Sequence, residues 1–563
     1  MKYDLKPWKA PKAAGVPIRM MTAMVGHPPL GGALSNLLLK NLGIPGFRQV
    51  EASGAIPFRP PRPAEGPAAS YDPEPLLKQI AGPKAGPGSV FESAADFTEA
   101  YRANSTNPEE VAQLVLKYTK DSDELEPPLR VFIAQQAEDV LCQARESAER
   151  YRKNQPLSPL DGVPVAVKDE VDQKGYPTTV GTAFLGREPA AEDAEVVARL
   201  RRAGALLVGK ANMHEIGILP TGLNPIHGAA RNPYDPLRET GGSSSGPATA
   251  VAAGLCPVSV GADGGGSIRV PAAFCGAVGL KPTFGRMSEH GAAPLCWSVA
   301  HLGPIGASVR DVALAYALMA GPDPKDPNTF DQPAPVLDGF GQQVVSGIKL
   351  GICTPWFEDA DEEVVEACHK VLEGLRGAGA VVEEVELPDL SLLRTVHTVI
   401  IVSEMAAAHL QHFRDHRREY STVTRLNLSL ARRMKATDYV HAQRHRMQLC
   451  AQFDAVMQKV DAIVTPATGC TAPLISPKAL KTDESNLTLI DRIMRFARPA
   501  NVTGYPAVTF PAGYDGRGLP IGFQAMGRSF EEHKLLRLAG VAEGLVERKP
   551  PQVHYRLLPG APE

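Results

Sequence analysis

The stretch TGGSSSGPATAVAAGLCPVSVGADGGGSIRVPAAFCGAVGLKPTFGR, residues 240–286, decides how the rest of the chain is read. It holds two Ser/Gly clusters, GGSSSG at 241–246 and GADGGGS at 261–267, separated by an Ala-rich helical pattern and a short apolar strand over 257–260. Glycine runs let the backbone approach a ligand and turn several N–H groups to one side, and a serine among them adds a nucleophile. One loop can then supply both the attacking oxygen and the donors for an oxyanion, the parts an acyl-transfer site requires.

On either side of this stretch, strand and helix patterns alternate. GVPVAVK at 162–168 is an apolar strand ending on Lys168; a helix over 195–202 and a strand over 205–208 follow. Beyond it come a helix over 309–319, a strand over 349–353, a helix over 362–375 and a strand over 381–385. Residues 393–460 read as helical almost throughout, a lobe over the sheet, and strands near 462–465, 507–510 and 520–527 close the pattern. The fold class expected is α/β, a large central sheet covered by helices on both faces. Asn107-Pro108-Glu109-Glu110 marks a helix start, with a capping side chain, a first-turn proline and early carboxylates.

Residues 1–95 form an N-terminal extension before a body spanning 96–563. Proline and glycine crowd 57–87, which predicts an irregular wrap. Residues 18–25 and 34–42 carry apolar side chains at helical spacing, with Leu34, Leu37, Leu38 and Leu42 on one face. Such helices either pack on the main body or lie on a membrane surface.

With 563 residues, 44% of them hydrophobic and 21% charged, the chain is globular and long enough for one large α/β body with insertions. A net charge of -3 argues against a nucleic-acid partner held through a broad basic face. The eight cysteines include no CxxC pair and fit reduced, mostly buried thiols. MKYDLKPWKAPK at the start does not read as a signal peptide, and no run approaches the roughly 18 apolar residues of a membrane span. A soluble or peripherally attached protein is expected.

Several local patterns compete for the chemistry. GSSSG at 242–246 matches a nucleophile elbow with Ser244 at its apex, but the preceding NPYDPLRET is turn-like where a strand is needed. GALLVGKA at 204–211 has the outline of a phosphate loop, yet its spacer is an apolar strand and Ala211 replaces the hydroxyl. His409, His412 and His416 fall at helical spacing, as do His441 and His445, without an accompanying carboxylate motif.

Taken with their flanks, Lys168, Ser243 and Ser267 give the chain a close resemblance to the amidase signature family. The matching pieces are GVPVAVKDEVD around Lys168, GKANMHE from Gly209, TGGSSSG, and GADGGGSIRVPAAFCGAVGLKPTFGR, in that order, with coverage from about residue 107 to the C-terminus. The GGGS loop, TPATGCTAP at 465–473 and the long N-terminal extension are similar to the plant-type fatty acid amide hydrolases. Ala262 stands where threonine is common and Gly264 where a larger residue is frequent; neither removes a catalytic group, and the third glycine is expected to widen the pocket beside the oxyanion.

The resemblance implies the family's mixed central sheet and a set of roles. Ser267 is the expected nucleophile, Ser243 the bridge that passes protons, and Lys168 the base. A lysine acts as base only when uncharged, which burial and nearby amide dipoles favour. Backbone N–H groups across Gly264, Gly265, Gly266 and Ser267 are the expected oxyanion hole, and the peptide entering Ser243 is expected to be cis. Ser244, Asp263 and Arg269 are expected to hold the loops. The implied substrate is a long-chain acyl amide such as an N-acylethanolamine, with Ile218, Leu219 and the N-terminal helices as candidates for its tunnel. No cofactor, metal or nucleic acid is implied. A homodimer, peripheral on the endoplasmic reticulum or plasma membrane and otherwise cytoplasmic, is expected. The alternatives are a general small-amide amidase, a glutamine-hydrolysing amidotransferase subunit, and a catalytically dead binding protein; the last is disfavoured because Lys168, Ser243 and Ser267 are all present.

Overall fold

The computed structural model describes residues 3–5, 7–8, 12–51, 71–80 and 90–560. Among these, eleven strands form one mixed sheet. In spatial order they are Phe132–Ala134, Leu206–Ala211, Pro164–Lys168, Val258–Ala262, Leu302–Gly306, Val278–Lys281, Ala507–Tyr514, Pro520–Gly527, Ala462–Pro466, Lys349–Ile352 and Val381–Glu384. The α/β expectation holds, with helices covering both faces.

Pro164–Lys168 runs parallel to both Leu206–Ala211 and Val258–Ala262, and every residue of the three strands is buried. Burial on both faces is why they read as continuous Val/Ala/Leu runs rather than as an alternation. Because Val167 registers with Val260, the C-terminal ends of neighbouring parallel strands deliver Lys168 and the 263–267 loop to the same edge. Loops at the carboxyl ends of parallel strands are where α/β sheets place their sites. Leu302–Gly306 and Val278–Lys281 join antiparallel beside them and are strands that the sequence pattern did not mark. Glycine and proline in LGPIG hide the first of these, although all its residues are buried.

A second core lies between the helices Leu390–Ala408 and Ala436–Met457, and Leu39, Ile44 and Phe47 from the N-terminal region fill part of it. Leu390–Ala408 is long and apolar enough to cross a membrane by length and composition, contrary to the expectation that no such segment exists. Arg394, His397 and Glu404 interrupt its apolar run in the sequence. Inside the protein it is a core helix, with Leu393, Val396, Val399 and Ile400 buried.

The N-terminal apolar segments are the helices Val16–Gly26 and Pro28–Asn41. Ile18 and Val25 pack on Val423, Leu426 and Leu430 of the lobe helix Thr422–Ala431, with Leu34, Leu38 and Leu219 alongside. Leu37 departs from its assigned face: it is 56% exposed, whereas Leu39 is 4% exposed. It stands one residue round the helix from the Leu34–Leu38–Leu42 row that meets the body. The irregular wrap predicted for 57–87 is interrupted by the helix Glu74–Ile80, whose Leu76, Leu77 and Ile80 are buried, and the Asp72 carboxylate accepts from the Glu74 N–H at 3.0 Å. Residues 57–70 and 81–87 of that stretch lie outside the described residues. Asn107 caps the helix Pro108–Asp123 as expected, accepting from the N–H groups of Glu109 and Glu110.

The helix Ser245–Ala252, which leads away from Ser243, docks with almost no clearance. A Cβ at Gly246 would lie 2.3 Å from the Asn212 nitrogen and 2.5 Å from the Val131 oxygen, both backbone atoms. At Gly32, inside Pro28–Asn41, a Cβ would meet nothing within 4 Å. Gly246→Ala should therefore cost about 3 kcal/mol or more, since backbone cannot yield as a side chain can. Gly32→Ala should gain about 0.5–1 kcal/mol of helix stability. Thermal unfolding of the two variants checks this, and equal midpoints would show that the docking is looser than described.

Candidate active site

Lys168 is fully buried, and its Nζ donates to Ser243 Oγ at 2.8 Å and to the Ala262 carbonyl at 3.2 Å. Glu170 Oε2 stands 3.0 Å from the same nitrogen, at ion-pair distance but out of line for a hydrogen bond. The Gly242–Ser243 peptide is cis. Gly242 leaves no room for a side chain, because a Cβ there would lie 2.0 Å from the Thr221 carbonyl oxygen. On the far side, the His214 N–H donates to the Ser243 carbonyl at 3.2 Å. The ring of His214 is itself buried against Asp483, with Nε2 and Oδ2 2.7 Å apart. Burial disfavours its charge, but Asp483 outweighs this and moves His214 above its ordinary value.

Ser267 lines one pocket together with Lys168, Ser243, Gly264 and Gly265. Its enclosed volume is only about 50 Å³, and Ile218, Leu219, Leu295, Ile401, Met405 and Met494 are among its apolar lining residues. Both candidate tunnel residues, Ile218 and Leu219, are therefore at the site, whereas the N-terminal helices are not among its lining residues.

The 263–267 loop is held from behind. The Asp263 carboxylate accepts from the N–H groups of Gly266 at 2.6 Å and Ile268 at 3.1 Å, from two Arg269 nitrogens at 3.0 Å, and from Asn501 Nδ2 at 3.0 Å. Burial works against the carboxylate charge, but Arg269, Lys281 and the Asn501 hydrogen bond prevail and hold Asp263 well below the usual carboxylate range. Arg269, also buried, donates onward to the Ala497 carbonyl and Gln524 Oε1, each at 2.8 Å, and to Asn501 Oδ1 at 2.6 Å. Ser244 ties the two Ser/Gly clusters together: its N–H donates to the Ser267 carbonyl at 3.3 Å and its hydroxyl to the Ala262 carbonyl at 3.2 Å. No strand precedes it; Asn232 and Asp235 form an isolated bridge, which removes the elbow reading.

Two expectations for the glycines need correction. Gly264 does not widen the pocket, because a Cβ there would lie 2.8 Å from Cys296 Sγ, which occupies the space. The Gly266 N–H is already committed to Asp263 Oδ1, leaving Gly264, Gly265 and Ser267 with N–H groups that have no acceptor among the described residues. His397, Asn501, Cys296 and His214 also shape the site and were not singled out from the sequence. Only His214 had a signal, its place in GKANMHE. Elsewhere, His409 Nδ1 is 2.9 Å from the Tyr420 hydroxyl, and the rings of His441 and His445 meet at 3.2 Å. Among the described residues, no three potential ligands gather as a metal site would require.

With this geometry in hand, comparison places the chain among known proteins. The Amidase family model matches residues 113–536. A fatty acid amide hydrolase of Oryza sativa subsp. indica is 40% identical over 499 residues, covering 87% of this chain and 81% of the rice protein. A fatty acid amide hydrolase of Arabidopsis thaliana is 35% identical over 595 residues, covering 99% of this chain and 97% of its own length, so the similarity takes in the N-terminal extension. Among solved structures, the peptide amidase of Stenotrophomonas maltophilia superposes with a TM-score of 0.70 at 29% identity, over 82% of this chain and 98% of that one. The chain belongs to the amidase family and is an amide-hydrolysing enzyme.

Proposed function

We propose that the enzyme hydrolyses long-chain fatty acid amides, N-acylethanolamines among them, to the free fatty acid and the amine. The observation that carries this reading is the Lys168–Ser243 contact of 2.8 Å on the floor of a pocket shared with Ser267 and walled chiefly by apolar side chains. The printed names of the rice and Arabidopsis relatives support the substrate class.

The chemistry runs through two hydroxyls. Ser267 Oγ attacks the amide carbon while its proton moves to Ser243 Oγ and the Ser243 proton moves to Lys168 Nζ. The Glu170 carboxylate lies 3.0 Å from that nitrogen. The carbonyl oxygen becomes an oxyanion in the 263–267 loop. As the C–N bond breaks, the proton returns through Ser243 to the leaving nitrogen, and the acyl group stays on Ser267 as an ester. Water then attacks the ester, its proton following the same route, and release of the fatty acid restores Ser267.

The resemblance also carries a homodimer and a peripheral membrane attachment. Val16, Met20, Met24 and Leu37, exposed on the N-terminal helices, support the second. Sedimentation with phospholipid vesicles should fall when Met20→Glu and Met24→Glu are combined; unchanged sedimentation would remove that role from these helices.

Ser267→Ala should abolish amide hydrolysis with thermal unfolding unchanged, and near-normal turnover would end the nucleophile assignment. Lys168→Ala should lower kcat by about 10²–10⁴-fold, since it takes away the base and the return path of the proton. A rise in KM alone would make Lys168 a binding residue instead. For ethanolamides of increasing acyl length, kcat/KM should climb by up to roughly fourfold per methylene until the pocket is filled, following about 0.8 kcal/mol per buried CH₂. Best turnover on acetamide-like substrates would replace this reading with a general small-amide amidase.

A further inference from the structure

The carbonyl oxygen and the following N–H of a trans peptide point to opposite sides, so pinning one aims the other. Three carbonyls of the glycine loop are pinned. Asn501 Nδ2 donates to the Asp263 oxygen at 2.9 Å, His397 Nε2 meets the Gly264 oxygen at 2.8 Å, and the Val270 N–H donates to the Gly266 oxygen at 2.7 Å. The N–H groups that follow those carbonyls belong to Gly264, Gly265 and Ser267. These are the same three residues that line the pocket beside Lys168 and Ser243 and whose N–H groups find no acceptor among the described residues.

Of the three pins, Asn501 belongs to the Asp263–Arg269 network and Val270 is the loop's own continuation. His397 is different, because it comes from Leu390–Ala408 in the helical lobe. A carbonyl accepts, so Nε2 carries the hydrogen in this contact. The ring is 2% exposed. Burial, reinforced by Arg498, brings it down to about 3, so near neutral pH it meets the loop as a neutral donor. It also packs against the loop: a Cβ on Gly265 would lie 2.8 Å from His397 Cε1.

We propose that His397 is a positioning residue for the oxyanion hole, holding the Gly264 carbonyl so that the Gly265 N–H faces the developing oxyanion. This rests on Ser267 as the nucleophile of the reaction described above. Without the pin, the peptide between two glycines has little to stop it rotating, and a rotated peptide would present a carbonyl where a donor is needed. Removing one oxyanion donor costs about 10²–10³-fold in kcat.

The test compares His397→Phe, which keeps a ring and loses the donor, with His397→Gln, whose amide can reach the Gly264 carbonyl, and His397→Asn, which is too short to do so. Turnover of a long-chain acyl p-nitroanilide is measured beside the affinity of the matching acyl trifluoromethyl ketone, whose adduct with serine carries the oxyanion. His397→Phe and His397→Asn should lose about 10²-fold in kcat with KM within twofold, with ketone affinity falling in parallel. His397→Gln should recover most of both. Should His397→Phe fail to fold, the Gln and Asn variants decide, and equal kcat values for these two would overturn the proposal. So would a His397→Phe enzyme that keeps its ketone affinity while its KM rises and its melting temperature drops, the pattern of a packing role. A wild-type enzyme inert toward both anilide and ketone would instead remove the nucleophile reading on which the proposal stands.

Discussion

The active site depends on one buried charge pair. Asp263 and Arg269 are both inaccessible to solvent, and removing two such ions from water is expensive unless every lone pair and N–H finds a partner. Here the partners are specific parts of the site. The carboxylate fixes the Gly266 and Ile268 N–H groups, which sets the curvature of the loop that carries Ser267. The guanidinium reaches Ala497, Asn501 and Gln524, and so anchors that loop to the Arg498–Thr503 region and to the strand Pro520–Gly527. The pair thus ties a glycine-rich segment with little conformational preference of its own to two distant parts of the chain.

The same network explains why the loop must be glycine. Flexibility alone would be a poor property for a site that needs fixed donors. What the three glycines provide is close approach. At Gly264 a Cβ would meet Cys296, at Gly265 His397 and Met494, and at Gly266 Ala497, each at 2.8 Å. Gly266 also adopts a φ of 123°, which side-chain-bearing residues rarely reach. The loop is therefore thin because Cys296, His397, Met494 and Ala497 close on it, while the N–H groups of Gly264, Gly265 and Ser267 keep no acceptor among the described residues.

What could be read from the chain alone follows from sequence distance. Lys168 was legible only beside the serine clusters, since a lysine ending an apolar strand is by itself an ordinary residue, and Ser243 and Ser267 because each lies in a long ordered motif. Parallel strands with matched register bring Lys168 and the loop of Ser267 to one edge, and the turn before the helix Ser245–Ala252 adds Ser243. His397 and Asn501 were not legible. They lie 133 and 238 positions from the loop atoms they hold, in segments whose local pattern is ordinary helix. Leu302–Gly306 was missed because its glycine and proline, there to admit close neighbours, resemble a turn. Leu37 was misplaced because a run of four-residue spacings in a leucine-rich helix fits two overlapping faces, and only the partner surface selects between them.

Helix Leu390–Ala408 links these observations. His397, Ile401 and Met405 recur at four-residue spacing, so they share one face of the helix. The first meets the Gly264 carbonyl of the glycine loop, and the other two line the pocket beside Ser267. The apolarity that gives this helix the outline of a membrane span is thereby accounted for by its two burials, one in the lobe core and one against the pocket. One helix face thus meets both the glycine loop and the pocket wall.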